Sequence, residues 1–364
     1  MTSPSRWHHG FAAAAALVVV SGSARAQDSA ATAGAGHRFF PLPFVFYQPE
    51  TGFGGGAALL HTHRAAPTAR TSTNQITLVY TAKRQYSARL QAEWYLRGGR
   101  YVAAGELLGS HFPDLFFGVG NATRATDDER YTLDQVRGAV EGRVALAPGV
   151  YAGVAYRYQW TAAKDLDTAG ALITGELPGW DGGTVAGAGL RLSVDTRDHT
   201  LGPTRGVLLQ GGASVHHGRF GSDFDYQRYE LDARGYVPLV PGHVAAVQVL
   251  LTSQTDDPPF FELATLGGDA VFRGSYQGRF RDRVRAVAQA EYRVDVIGPV
   301  GAVLFGAAGQ VRRSWNGFAL RDLHLAGGGG VRWRLSRTER VNLRIDVGFG
   351  PGESGVYFAL GEAF

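Results

Sequence analysis

The sequence predicts an all-β protein, a single transmembrane antiparallel β-barrel of about sixteen strands with long loops on one side. Three observations carry that prediction. Segment after segment sets charged residues on one face and apolar residues on the other, at the period of two that belongs to a strand. No stretch approaches the ~18 consecutive apolar residues of a spanning helix, so a membrane can be crossed only by strands closed on themselves. Connections between the strand-like segments alternate between short turns and long loops, as they do in outer-membrane barrels.

Taken in order, residues 1–26 read as a cleaved signal peptide outside the fold. Arg6, His8 and His9 make a basic start, FAAAAALVVV at 11–20 is an apolar core, and Ala24-Arg25-Ala26 is an A-x-A cleavage site. That core is about half the ~20 residues a spanning helix needs. With no Cys beside the site, a lipoprotein anchor is excluded. Residues 27–37 form a short periplasmic segment, and the barrel occupies 38–364 with no further domain boundary.

Alternation and turn residues place strands at 38–47, 52–63, 73–82, 86–97, 100–110, 131–145, 149–160, 184–195, 205–217, 224–237, 242–253, 285–295, 299–311, 320–334, 340–349 and 354–364. In one of the clearest, Arg228, Glu230, Asp232 and Arg234 oppose Tyr229, Leu231, Ala233 and Val237. In another, Gln289, Glu291, Arg293 and Asp295 oppose Ala288, Ala290, Tyr292, Val294 and Val296. In a third, Asn342, Arg344 and Asp346 oppose Val341, Leu343, Ile345, Val347 and Phe349. A soluble sandwich alternates too. Here the polar faces carry both signs of charge strand after strand, while Tyr and Trp cluster near the ends of the apolar faces. That combination fits a wet lumen, a lipid-facing wall and aromatic girdles.

The connections fix the orientation. Short ones such as LRGGR at 96–100, APGV at 147–150, VPLVPG at 237–242 and IGPV at 297–300 fall at even positions. The long ones, 111–130, 161–183 and 253–284, fall at odd positions, with 63–73 a middling exception. With both ends of the barrel in the periplasm, the long loops face outward.

Composition narrows the function. Without Arg6 and Arg25, the 36 Lys and Arg fall to 34 against 32 Asp and Glu, and so even a balance excludes nucleic acid as a partner. There is no Cys, which removes thiolate nucleophiles, thiolate metal sites and disulfides. His61-x-His63 and His216-His217 lack a carboxylate cluster, GFGGGA at 52–57 lacks the Lys-Ser/Thr of a phosphate loop, and no motif singles out a hydrolase trio. The expectation is a protein that is not an enzyme and holds neither metal nor cofactor.

The segment that says most is LGGDAVFRGSYQGRFRD at 266–282, too rich in glycine for a helix and followed by the alternating strand 285–295. This Arg273-Gly274 loop resembles the sixth extracellular loop of the outer-membrane assembly barrels typified by BamA and TamA, the bacterial surface antigen family. LSVDTRDHTLGPTRG at 192–206, YELDARGYVPL at 229–239, LFGAAGQV at 304–311 and ALGEAF at 359–364 extend the resemblance, which is strongest over 184–364. It implies a loop folded back into the barrel, with Arg273 paired to acids on the wall. Arg273, Gly274, Tyr276 and Glu291 are its candidate latch. Arg279, Arg281 and Asp282 either extend that network or belong to a merely polar loop. Relatives commonly place an Asp where this chain has Ala307, so by that alignment Glu291 is the acid left for Arg273.

Asp195, Arg197 and Asp198 form either a periplasmic turn network or simple turn chemistry, with Asp bonding its own backbone. Phe364, with Leu360 and Gly361, reads as the C-terminal sorting signal. The resemblance implies insertion or translocation of outer-membrane proteins. It also implies integral location in the cell outer membrane among lipids that include lipopolysaccharide. Client proteins or a separate periplasmic protein are the implied partners. Assembly machines of the family carry POTRA domains ahead of the barrel, and this chain has no room for one. The alternative is therefore a passive pore, or a structural or lipid-handling barrel.

Overall fold

The computed structural model describes residues 36–48, 51–66, 69–167, 170–174 and 177–364. The signal peptide assigned to 1–26 lies outside them. Strands follow the chain as β1 (Gly36–Gln48), β2 (Gly52–Arg64), β3 (Ser72–Thr81), β4 (Tyr86–Leu96), β5 (Tyr101–Phe116), β6 (Glu129–Ala147), β7 (Val150–Lys164), β8 (Gly182–Asp195) and β9 (Gly206–His216). They continue as β10 (Tyr226–Val240), β11 (His243–Gln254), β12 (Ala264–Leu266), β13 (Phe280–Asp282), β14 (Val284–Ile297), β15 (Val300–Arg312), β16 (His324–Ser336), β17 (Val341–Gly350) and β18 (Glu353–Leu360). All but β12 and β13 join in chain order into one 16-stranded antiparallel sheet; those two form a small hairpin inside the loop between β11 and β14. The sheet curls until β18 lies beside β1, but among the described residues no backbone ladder joins them.

The wall is inside out relative to a soluble protein. On the outer face Leu190 and Leu304 are each 66% exposed, and Val247, Val140 and Val347 are exposed too. The inner face of the same wall buries polar side chains, among them Gln248, Gln289, Glu291, Arg344 and Asp346. Period-two alternation produces this arrangement only when the apolar side meets lipid. Leu304 sits near the middle of β15 on that side. Leu304→Lys is therefore expected to destabilise the barrel by about 2–4 kcal/mol, measured as the urea midpoint in lipid vesicles; an unchanged midpoint would mean that this face does not meet hydrocarbon.

Several strand ends differ from the sequence reading. β5 and β6 rise to a Phe116–Glu129 pair, well past 110 and 131. Pro113 and Asp114 interrupt the alternation, yet the ladder runs through them, and Gln85 Nε2 donates to the Pro113 carbonyl at 2.7 Å. β16 starts at His324 because 320–322 form a 3₁₀ turn. β18 ends at Leu360, where Gly361, with φ +87°, turns the chain out of the sheet.

Candidate functional site

The connection between β11 and β14 crosses the barrel interior and is held at both ends. Its root is a 3₁₀ turn, Phe260–Glu262. Phe260 packs edge-on to Phe116 and Tyr131, at 5.8 and 5.5 Å between ring centres, in a dry cluster with Leu133 and Leu172. Glu262 is buried and takes Arg157 on both carboxylate oxygens, while its carbonyl accepts from Arg228 Nη1 at 3.1 Å and Gln254 Nε2 at 2.9 Å. The root is thus fixed to β7 and β10.

From there the β12–β13 hairpin carries the tip down the opposite wall. Leu266, Phe272 and Phe280 pack against Val287 of β14 and Val311 of β15, and Ala307 borders this cluster. Phe272 has φ +59°, a left-handed backbone that is unusual for so bulky a residue and costs about 1–3 kcal/mol. The outcome of that bend is the placement of Arg273. Its guanidinium donates through Nη2 to Glu291 of β14 and through Nη1 to Asp346 of β17, and lies 3.7 Å above the ring of Phe305. Arg273 is 1% exposed, so this contact is dry, where a wet lumen was expected.

Gly274 is the reason the tip can lie so close to the wall. A Cβ there would fall 2.4 to 2.7 Å from backbone atoms of Phe349 and Gly350, and its φ is +114°. Its N–H donates to the Tyr357 hydroxyl of β18 at 2.9 Å.

Around Arg273 the charges interleave. Glu291 also accepts from Arg293 Nε at 2.7 Å, and Asp346 from Arg332 Nη1 at 2.6 Å. Arg332 Nε in turn donates to Glu362 at 2.7 Å. Removing charges from water is costly, and only dense pairing of this kind makes the cluster tolerable. Its geometry specifies where the loop sits more than it adds net stability.

Tyr276, grouped with the latch in the sequence reading, points elsewhere. Its hydroxyl donates to Asp114 of β5 at 2.6 Å and its N–H to Glu353 at 2.7 Å. Arg279 donates to Thr123 Oγ1 and O at 3.0 and 2.8 Å, and Arg281 lies over Phe116 while its carbonyl accepts from Gly120. Asp282 accepts from the N–H of Arg283 at 2.8 Å. Arg279 and Arg281 tie the tip to the 117–128 loop, which itself crosses to β15 through Asn121 Oδ1, accepting from the Val311 N–H at 3.0 Å.

At the periplasmic end, Asp195 accepts from Arg197 Nε and Nη2, each at 3.0 Å, and from Arg70 of the β2–β3 turn. Asp198 accepts from Thr204 N and Oγ1 at 2.9 and 2.7 Å and from Arg340 Nη1 at 2.7 Å. Turn chemistry and a wider network therefore coexist. Burial opposes ionisation of Asp198, but the bonds from Arg340 and Thr204 hold its carboxyl well below the usual range. Next to it, burial first and then Arg340, Arg64 and Arg197 depress the His199 imidazole from 6.5 to about 4, against the raising influence of Asp198.

A released turn therefore takes up a proton near pH 6.5, whereas the closed turn resists it down to about 4. Acidification across that window destabilises the closed turn while Asp198 stays charged. Hydrogen exchange at the Thr204 and Arg205 amides, corrected for intrinsic rate, is expected to quicken from pH 7 to pH 5; a flat profile would contradict this.

The tail corrects the expectation of a strand over 354–364. After Gly361 it turns into the lumen, where Phe364 is buried against Tyr236 and Ala246, and its main-chain oxygen accepts from Arg293 Nη2 at 2.9 Å. Leu360 remains paired with Leu343.

Sequence reasoning named Glu291 as the partner of Arg273 but not Asp346, nor the Arg157–Glu262 root, nor the contacts of Arg64, Arg70 and Arg340. Asp346 stood on the polar face of a cleanly alternating strand, which was its only signal.

A 16-stranded barrel whose extracellular loop sets an arginine onto two acids of its own wall defines an outer-membrane barrel of the BamA-like class. The Omp85 superfamily domain matches residues 69–364, and the chain belongs to that superfamily. The match reaches well ahead of residue 184, where the sequence motifs were strongest. Among solved structures, BamA from Haemophilus ducreyi lacking POTRA domains 1-3 is similar at 12% identity and a TM-score of 0.57, covering 90% of this chain and 69% of that one. CdiB from Acinetobacter baumannii is similar at 12% identity and 0.56, covering 89% and 59%. CdiB from Escherichia coli is similar at 11% identity and 0.60, covering 89% and 62%. The chain thus spans about three-fifths of the CdiB chains, and at these identities the likeness shows the fold. No curated protein matches it. Family and fold together make this an integral outer-membrane protein.

Proposed function

We propose that the barrel takes part in inserting or translocating polypeptides at the outer membrane, without a catalytic step or a cofactor. One observation carries this reading: the loop is pinned beside the only neighbouring strand pair, β18 and β1, that lacks a ladder among the described residues. Asp346 lies on β17 and Tyr357 on β18, so movement of Arg273-Gly274 bears directly on the last two strands. In this reading its surroundings are outer-membrane lipid including lipopolysaccharide, its partners are client barrels or a separate periplasmic protein, and it is exported through a signal peptide, 1–26, that is then cleaved. Depleting the protein and quantifying the outer-membrane proteome tests the reading. A selective fall in integral barrels supports it; an unchanged proteome overturns it.

A second reading, a passive pore, is favoured by a cavity of about 490 Å³ inside the β3–β10 wall, lined by polar groups such as Gln75, Gln91, Glu106 and Arg191. Single-channel conductance of the purified protein, with and without 266–282, tests it.

A further inference from the structure

The β8–β9 connection, 196–205, touches turns that are not its neighbours. In the strand order, β2–β3 lies six strands before it and β16–β17 six strands after it. Contacts between turns so far apart cannot run along the wall, because adjacent strands are ~4.8 Å apart and six of the 16 strands separate them on either side. They must run across the periplasmic mouth.

On the β16–β17 side, Arg340 Nη1 donates to Asp198 at 2.7 Å and to the Gly202 carbonyl at 3.0 Å. On the β2–β3 side, Arg70 donates to the Asp195 carboxylate and carbonyl, and Arg64 Nη2 lies 3.1 Å from His199 Nε2. Arg64 also reaches Glu339 at 3.1 Å, so the two receiving turns are joined to each other. Asp198 ties the connection internally through Thr204 and Arg205, which stiffens it as a unit.

We propose that this connection is a periplasmic gate, closed here by a three-turn clasp of Arg64, Arg70 and Arg340 and opening onto the polar cavity above it. The gate is indifferent to what passes through the barrel, so it does not rest on the function proposed above. Its opening requires that contacts to one receiving turn be exchanged for water. The ladders of β8 and β9 stay intact when it swings.

Access to the cavity from solvent tests this. The chain has no Cys, so Gln91→Cys, which places a thiol on the cavity wall, is the only reactive site. Its modification by a charged, membrane-impermeant thiol reagent is followed in lipid nanodiscs with the connection unaltered, with Asp198→Ala, and with Gly202→Ala. The second variant removes no charge. A Cβ at Gly202 would sit 2.8 Å from Arg340 Cβ and 2.9 Å from its carbonyl, prying the connection off β16–β17. Each variant is expected to raise the modification rate about tenfold, the change given by losing about 1.4 kcal/mol of closing free energy. Equal rates in all three backgrounds, fast or slow, overturn the gate. Should Asp198→Ala fail to give the heat-modifiable folded form, Gly202→Ala decides alone.

Discussion

Arg273→Ala is expected to destabilise the folded barrel by about 3–5 kcal/mol, the cost of breaking a buried ion pair and stranding its partners. Two acids, Glu291 and Asp346, lose a shared cation that is 1% exposed. Arg293 and Arg332 remain bonded to them, which places the effect toward the lower end. The loop tip should leave the wall, because its apolar contacts through Leu266 and Phe272 must also offset the strained backbone at Phe272. Thermal loss of the compact electrophoretic form and protease cleavage within 255–283 are the measurements. Arg273→Lys should recover little of the loss, since one ammonium cannot bridge two carboxylates on different strands in the way a planar guanidinium does. A wild-type midpoint for Arg273→Ala would end the idea that this residue holds the loop.

The second large effect is expected at the root. Glu262→Gln removes the charge that faces Arg157 and is expected to cost about 1.5–3 kcal/mol, the range for hydrogen bonds to charged groups. The cost is smaller than at Arg273 because the Arg157 side chain is 24% exposed and can be partly rehydrated. Its consequence differs in kind. The Phe260 cluster should loosen against Phe116 and Tyr131 while the tip stays bound. Hydrogen exchange should therefore rise at 255–263 and not at 270–276. Parallel rises in both segments would show that the loop has one anchor rather than two.

The wall was legible because lipid imposes a rule that a sequence must obey at every second residue. Gln289, Glu291 and Arg293 could be assigned to one face without any structure, and most strand ends fell within a few residues of their places. What alternation cannot give is the partner across a lumen. Asp346 is 73 residues from Arg273, and the two meet only because a loop rooted on β7 and β10 crosses to β14 and β17. That depends on barrel diameter and loop path, neither of which has a local signature. The loop was also read by its glycines and charges, while Leu266, Phe272 and Phe280 were passed over. Those side chains form the apolar cluster that lays the loop on β14 and β15. A turn role for Asp195, Arg197 and Asp198 was visible in the sequence, but the reach of Arg340 from another turn was not.

The inward tail has a consequence for how the barrel is completed. Phe364 finds its place only between Tyr236 of β10, Ala246 of β11 and Arg293 of β14. Those strands must already stand in register before the last four residues can settle. Until then the ring of Phe364 has no apolar site to enter; afterwards it is 4% exposed. Burial of one aromatic ring thus acts as a quality seal, applied only when the middle of the wall has been built correctly.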